Sequence, residues 1–361
     1  MMNVYGSKIS YYTGKLEAYL RYKDIPYQLL VPYRHEKTIR KNVGAMQLPI
    51  VKRPDGRWMS DTTPIILQLE SEQPTPSVLP PNPVVGFIAL LIEDYADEWL
   101  WRPAMHYRWS YSHDRELLSS IIVDEMLREV PIPRFVKRRV IKLRQRRGFV
   151  IGDGVRPKTW DHVEAGYFAA LDNMTSMLED RRFLLGDAPS IADFGFMAPM
   201  LRHFGHDPTP VEIMRNRAPA VYEWLARVWN ARPSEGGPNF VKELPADTAP
   251  MLQEVCETHL EQLAANAIAY AAGPRRFSMT IQNCDYLKMP VSRYRVACLE
   301  QLRQAFAGLS DQDQSTVRAL LPHPQAEILW SPGIAASSGY DEDRRAPFGK
   351  AINVYANGFP S

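Results

Sequence analysis

"GAMQLPIVKRPDGRWMSDTTPII", residues 44–66, decides how the first part of the chain folds. "PIVKRP" and "RWMS" read as two strands, and Asp55-Gly56 between them is a strong two-residue hairpin signal. "TTPIILQLESE" then reads as a helix with Pro64 at its first position, where a missing N–H costs nothing. Two placements need a physical reason. Pro49 stands where a strand begins, and Asp61 with Thr62 stands where a helix opens.

Working outward, "MNVYG" alternates as a strand and "TGKLEAYLRYKDI" puts Leu16, Tyr19, Leu20 and Tyr22 at helical spacing, ending before Pro26. "YQLLVP" is a second strand, and "HEKTIRKNVG" a short polar helix closed by Gly44. The order βαβαββα resembles the thioredoxin-like fold. In that fold a proline opens the third strand after a cis peptide bond, so that the backbone of the preceding residue faces the active site. Leu48-Pro49 fits that place, with Leu48 offering N–H and C=O to an extended peptide as an added strand would. At the next helix start, free N–H groups bind a carboxylate, a hydroxyl adds a bond and a neighbouring acid takes an ammonium. An α-amino acid head group presents those partners together.

With "LPIV", "DTTPI" and the opening "VYGSKISYYTGKLEAYL", the chain resembles the glutathione S-transferase superfamily. The resemblance implies that Asp61 and Thr62 hold the γ-glutamyl end of glutathione. It implies that Leu48 and Pro49 pair with the peptide, and that Gln47 lies near its glycine end. Arg34, His35 and Lys37 are further cations in reach of that carboxylate, though solvated charges on a polar helix are the plainer reading. The family places its activating hydroxyl or thiol between the first strand and the first helix, here "GSKISYYTGK", and the alignment puts Ser10 at that position. A hydroxyl donating to sulfur at a helix N-terminus favours the thiolate, which is the nucleophile. Tyr11 replaces the proline that often follows, and Ser7, Tyr11, Tyr12 and Thr13 are other hydroxyls within reach, Tyr11 or Tyr12 being the alternative donors. The loop holds no cysteine, which argues against glutaredoxin-like disulfide chemistry.

The proline-rich "QPTPSVLPPNP" (73–83) can continue neither helix nor strand and reads as a linker. Beyond it, "PVVGFIALLIEDYADEWLWRPAMHYRWSY" reads as one long helical segment bent at Pro103. The resemblance implies that this segment lines the pocket for a second substrate, with His106, Tyr107 and Trp109 as candidates. Aromatic residues at helical spacing also serve a core. "RFVKRRVIKLRQRRG" (134–148) carries eight basic residues, but Phe135, Val136, Val140, Ile141 and Leu143 form an apolar stripe. An amphipathic helix with a solvated face outranks a nucleic-acid grip. In "FLLGDAPSIADFGFMAPM", Ser190 and Asp193 form a capping box opening a buried helix, a second marker of the same family. Past residue 240 come a long helix ended by Gly273-Pro274, a strand "RFSMTIQ" and two further helices, then a loop-rich tail, loose or draped over a neighbour.

At 361 residues, two compact units with an appendage are expected. These are a thioredoxin-like α/β domain (1–76), a linker (77–83), an all-α domain (84–232), an α+β extension (240–330) and a tail (331–361). A net charge of +2 carries no message about nucleic acid or membrane, and no apolar run approaches bilayer length. The chain opens as a strand and not as a leader peptide. Three scattered cysteines, Cys256, Cys284 and Cys298, argue against a disulfide framework or a metal site and for the cytoplasm. The expected function is an enzyme that activates the glutathione thiol against a hydrophobic or aromatic electrophile, as a homodimer. No metal, membrane or nucleic acid is expected to take part. The alternative is a non-catalytic scaffold with the same fold.

Overall fold

The computed structural model describes residues 1–233, 237–331, 333 and 337–352. Strands β1 (Met2–Tyr5), β2 (Tyr27–Leu30), β3 (Ile50–Lys52) and β4 (Trp58–Ser60) form a sheet in the order β2-β1-β3-β4. Helices α1 (Tyr11–Tyr22), α2 (Glu36–Val43) and α3 (Thr62–Glu72) connect and cover it. β1 and β2 are parallel, Met2 opposite Tyr27, which requires the crossover that α1 supplies. The other pairings are antiparallel, β3 and β4 being joined through Asp55-Gly56 with Gly56 at φ 88°. α2 stops at Gly44, whose φ of 82° is the left-handed cap that glycine adopts without penalty. Pro64 is the third residue of α3 and not the first; there too its missing N–H has no intrahelical acceptor to lose. This is the thioredoxin-like arrangement of mixed sheet and helices.

One sheet face is closed by α2 over Tyr5, Ile39, Val43 and Ile50. The other, with Val4, Val51 and Met59 beneath Leu16, Leu20, Ile65 and Leu69, runs without interruption into the core of a helical domain. That domain comprises α4 (Pro83–Glu98), α5 (Trp101–Ser110), α6 (Ser112–Met126), α7 (Arg134–Gln145), α8 (Trp160–Met177), α9 (Ile191–Pro199), α10 (Pro208–Arg217) and α11 (Pro219–Trp229). Every residue of α9 is buried. Its capping box of Ser190 and Asp193 is formed, and Asp193 also accepts from the Leu184 N–H and the Trp224 Nε1–H, both at 3.0 Å. Gly195 lets α9 lie against α4: a Cβ there would stand 2.8 Å from the Glu93 Cα.

Two expectations are corrected here. The segment 83–111 is not one helix bent at Pro103: it breaks at Trp99 and Leu100, and Pro103 lies in the first turn of α5, where no N–H is needed. In α7 the apolar stripe is split, only part of it facing inward. Phe135, Val140 and Leu143 are exposed, while Lys137 and Ile141 are buried. Carboxylates of α6 pair with its basic residues, Asp124 with Arg134 and Glu116 with Arg138 and Lys142.

The extension holds α12 (Ala249–Glu254) and α13 (Glu261–Ala272), joined by a wider helical turn over Val255–Leu260. A hairpin of β5 (Arg276–Ile281) and β6 (Cys284–Pro290) follows, then α14 (Arg293–Ala307) and α15 (Asp311–Leu320), both packed against α4. β6 is the element that the sequence reading misses. The hairpin turns at Gln282 and Asn283, φ 45° and 63°, where glycine is the usual signal. Cys256 and Cys298 are buried, as core residues. The expected loose tail instead folds back along this chain's own first domain: the Ala351 N–H donates to the Val43 carbonyl and the Ser60 N–H to that of Pro347, each at 3.1 Å. Residues 353–361 of the expected tail lie outside the described residues. Among the described residues no helix is long and apolar enough to cross a membrane.

Candidate functional site

A cavity of about 400 Å³ opens where the sheet's β1–α1, α2–β3 and β4–α3 connections meet α5, α6 and the extension. Ser10 ends the first of these. It is the N-cap of α1 with φ −82° and ψ 132°, its N–H donates to the Ser7 carbonyl at 3.0 Å, and its side chain makes no capping bond. Among the described residues the hydroxyl has no hydrogen-bond partner, and Ser10 is half-buried on the cavity wall, at the N-terminus of a twelve-residue helix where an anion is favoured.

The hydroxyls of Ser7, Tyr11 and Tyr12 are committed elsewhere. Ser7 Oγ donates to Glu125 Oε2 at 2.9 Å. Tyr11 points into α4, donating to the Ala96 carbonyl at 2.5 Å, and burial holds its pKa well above the usual value. The Tyr12 hydroxyl donates to the Asp97 carbonyl at 3.1 Å while its ring stacks on Trp101. Thr13 is buried and does not line the cavity. Arg108, itself buried, pins the loop to the helical domain by donating to the Ile9 carbonyl at 2.8 Å and pairing with Asp207 at 2.6 Å.

The Leu48-Pro49 peptide bond is cis, and Gln47, Leu48 and Pro49 line one side of the cavity. Asp61 and Thr62 line the adjoining side. Asp61 caps α3 at φ 75° and ψ 116°, a backbone region a non-glycine residue occupies only when its surroundings impose it. Beneath it Thr63 bonds to Glu93 and to Lys15, and Lys15 is held by Glu93 and Asp97 with no exposure to solvent. Asp61 Oδ1 accepts from Tyr294 and Oδ2 from Tyr340, each at 2.9 Å. Burial raises its pKa; the two tyrosine hydrogen bonds and Lys15 act in the opposite sense, and Asp94 adds to the rise. Arg34, His35 and Lys37 do not line the cavity, and Arg34 pairs with Glu129.

Opposite the sheet, Trp101, Met105, Trp109, Ile122, Met126 and Phe149 make an apolar wall, Trp101 meeting Phe149 edge-on at 5.6 Å between ring centroids. Of the three residues singled out in this segment, Trp109 lines the cavity and His106 and Tyr107 do not. His106 is buried against Glu164 at 2.9 Å, and Tyr107 stacks on Tyr111 in the domain core. The physical reason is helical phase: residues 101, 105, 108 and 109 share the cavity face of α5, and 106 and 107 fall on the other.

At the far end lies a polar group that sequence reasoning missed. Glu98 lines the cavity, 3.6 Å from Arg295 Nε, and Arg295 in turn reaches Asp153 at 3.4 Å. Burial first, then Asp94, Asp61 and Asp153, push the Glu98 carboxyl up to about 7 against the pull of Arg295. Tyr294 and Arg295 come from the extension and Tyr340 from the tail, more than 190 residues from Glu98 or Asp61, and no local pattern announces them.

Residues 4–77 match the family model for the glutathione S-transferase N-terminal domain, and residues 157–227 that for the glutathione S-transferase C-terminal domain. Among solved structures, the β-etherase LigF from Sphingobium sp. strain SYK-6 aligns at 20% identity and TM-score 0.46, over 64% of this chain and 96% of its own. A glutathione S-transferase from Rhodospirillum rubrum F11 aligns at 17% and 0.42, over 68% and 94%. One from Methylobacterium radiotolerans, in complex with glutathione sulfonate, aligns at 18% and 0.39, over 68% and 99%. A search of curated proteins gave no match.

Proposed function

We propose that this chain, which belongs to the glutathione S-transferase superfamily through both of its matched domains, is an enzyme that binds glutathione and activates its thiol. The observation that carries the proposal is Ser10: it lines the cavity at a helix N-terminus, its hydroxyl has no hydrogen-bond partner among the described residues, and the hydroxyls of Ser7, Tyr11 and Tyr12 are occupied. In this reading glutathione lies along Leu48 and Pro49 with Gln47 toward its glycine end. Its γ-glutamyl carboxylate meets the N–H groups and hydroxyl at Thr62, and its ammonium meets Asp61. Ser10 donates to the sulfur and lowers the thiol pKa, so that more thiolate is present at neutral pH.

The thiolate then attacks an apolar electrophile seated against Trp101, Met105, Trp109 and Phe149. A carbon–sulfur bond forms as the leaving group departs with its electron pair, or as a conjugated double bond accepts the sulfur and then a proton. Conjugation, displacement and ether cleavage share this step. A reducing compartment such as the cytoplasm, and a homodimer, belong to the same proposal. The test is consumption of glutathione thiol in the presence of a panel of aromatic electrophiles. Catalysed turnover that falls by about 100-fold in Ser10→Ala supports it, in line with the loss of one activating donor.

A specific observation favours a second reading, a non-catalytic scaffold: both oxygens of Asp61 already accept hydrogen bonds from this chain's own tyrosines. Absence of glutathione binding at millimolar concentration would decide for it.

A further inference from the structure

The segment from Tyr340 to Ile352 runs beside the cavity as a strap, with Tyr340, Ala351 and Ile352 in its wall. Arg293 fixes its start by donating to the carbonyls of Ser338 and Gly339, the latter at 2.8 Å. The Arg57 guanidinium lies 4.4 Å from the Phe348 ring, and the backbone bonds from Ser60 and Ala351 tie the strap to the two sides of the trench. Asp61, Tyr294, Tyr340 and Ile352 all border the same cavity, and about 400 Å³ stays open with the strap in place. That is within the range of small-molecule sites. The strap therefore walls the site and does not fill it.

An ionised carboxylate has about four hydrogen-bond positions, and the two tyrosines use one on each oxygen. Both phenols have their pKa pushed up, by burial and by Asp61, so they stay protonated and serve as donors. The charged and titratable groups acting on Asp61 are Tyr294 from the extension, Tyr340 from the tail, Lys15 from α1, and Asp94 from α4. Glu98, also on α4, carries the Asp61 charge as one cause of its own shift. Lys15, the cation acting on Asp61, is already shared by Glu93 and Asp97.

We infer that the extension and the tail complete the glutathione site: Tyr294 and Tyr340 are positioning residues whose hydroxyls hold and aim the Asp61 carboxylate, and the strap forms the outer wall against which the γ-glutamyl head group rests. The inference builds on the reading of the same cavity as a glutathione site. Strap docking and glutathione binding then reinforce one another, and the extension serves the first domain's ligand directly.

The test is calorimetric titration of the full-length chain with glutathione between pH 5.5 and 8.5, for wild type, Tyr294→Phe, Tyr340→Phe and Arg293→Gln. Phenylalanine keeps the ring and removes only the donor, and Arg293→Gln loosens the strap from outside the site. Each lost hydroxyl is expected to weaken binding by about tenfold, the effect of one hydrogen bond to a charged group. It is also expected to move the acid limb of the binding profile to higher pH, because an Asp61 with fewer donors keeps its proton longer. Arg293→Gln loosens the segment that carries Tyr340 and is expected to weaken binding and move the acid limb in the same direction as Tyr340→Phe. Unchanged affinity and pH profile in both Phe variants would overturn the inference and leave the glutathione reading standing. Tighter binding by Tyr340→Phe would show the strap to be a plug, overturning it as well. A wild type that takes no glutathione removes both.

Discussion

Replacing Glu98 by glutamine is expected to change how the stability of the fold depends on pH. The side chain is 12% exposed, and its pKa stands at about 7 against an ordinary 4.5. A group whose pKa is higher in the folded chain holds its proton more tightly there, so the folded state loses stability as pH rises. Below the ordinary value of 4.5 the carboxyl is protonated in both states and costs nothing. From there to about 7 the unfolded chain ionises first and the penalty grows; above about 7 it is constant. At its full extent a rise of this size corresponds to about 3 kcal/mol. Glutamine has the same shape and no charge to bury, but it leaves Arg295 with only Asp153 as an ion-pair partner, which takes back part of the gain. Glu98→Gln is thus expected to exceed wild type by about 2 kcal/mol at pH 8, with the difference shrinking toward zero near pH 4.5. Urea unfolding followed by tryptophan fluorescence, at half-unit steps from pH 4.5 to 8.5, reads this difference directly. A difference that does not vary with pH, or a wild type that gains on the variant as pH rises, would refute the reasoning.

Further substitutions separate structural roles from chemical ones. Tyr11→Phe removes the bond to the Ala96 carbonyl and is expected to cost about 1 kcal/mol in urea unfolding, leaving the titration of bound thiol unchanged. A moved thiol pKa would instead make Tyr11 the activating group. Asp193→Asn turns an amide donor toward a site where Leu184, Ser190 and Trp224 all donate, and is expected to cost about 3 kcal/mol or more; a near-neutral result would remove the capping box from the account. Gly195→Ala must push α9 away from the Glu93 backbone and is expected to lower stability by about 1–3 kcal/mol, as read by the thermal midpoint.

What the sequence made legible was local. Leu48-Pro49, Asp55-Gly56, Asp61-Thr62 and Ser190 with Asp193 are short patterns whose conformation follows from the missing N–H of proline, the freedom of glycine and the capping of helix ends. What stayed illegible depended on distance or on phase. Tyr340 meets Asp61 across 279 positions, and the tail that carries it reads as loose because its partners are backbone groups of another domain. In α5 the rings look alike in sequence; the break at Trp99 and Leu100 resets the phase and sends Trp109 to the cavity but His106 and Tyr107 to the core. Glu98 passes for an ordinary helical charge until burial beside Arg295 gives it a shifted pKa. In α7 Phe135, Val140 and Leu143 lie outward while Arg134, Arg138 and Lys142 pair with carboxylates of α6, an arrangement that an amphipathic pattern alone does not reveal.

The central claim is that Ser10 activates the thiol of bound glutathione, and the most direct measurement is the ultraviolet thiolate absorbance of glutathione in complex with the protein, titrated with pH. The account predicts that wild type lowers the thiol pKa below its free value near 8.5 by at least about one unit, and that Ser10→Ala restores it while glutathione still binds. A thiol that titrates at its free value in wild type, or one that stays depressed without the Ser10 hydroxyl, would contradict it.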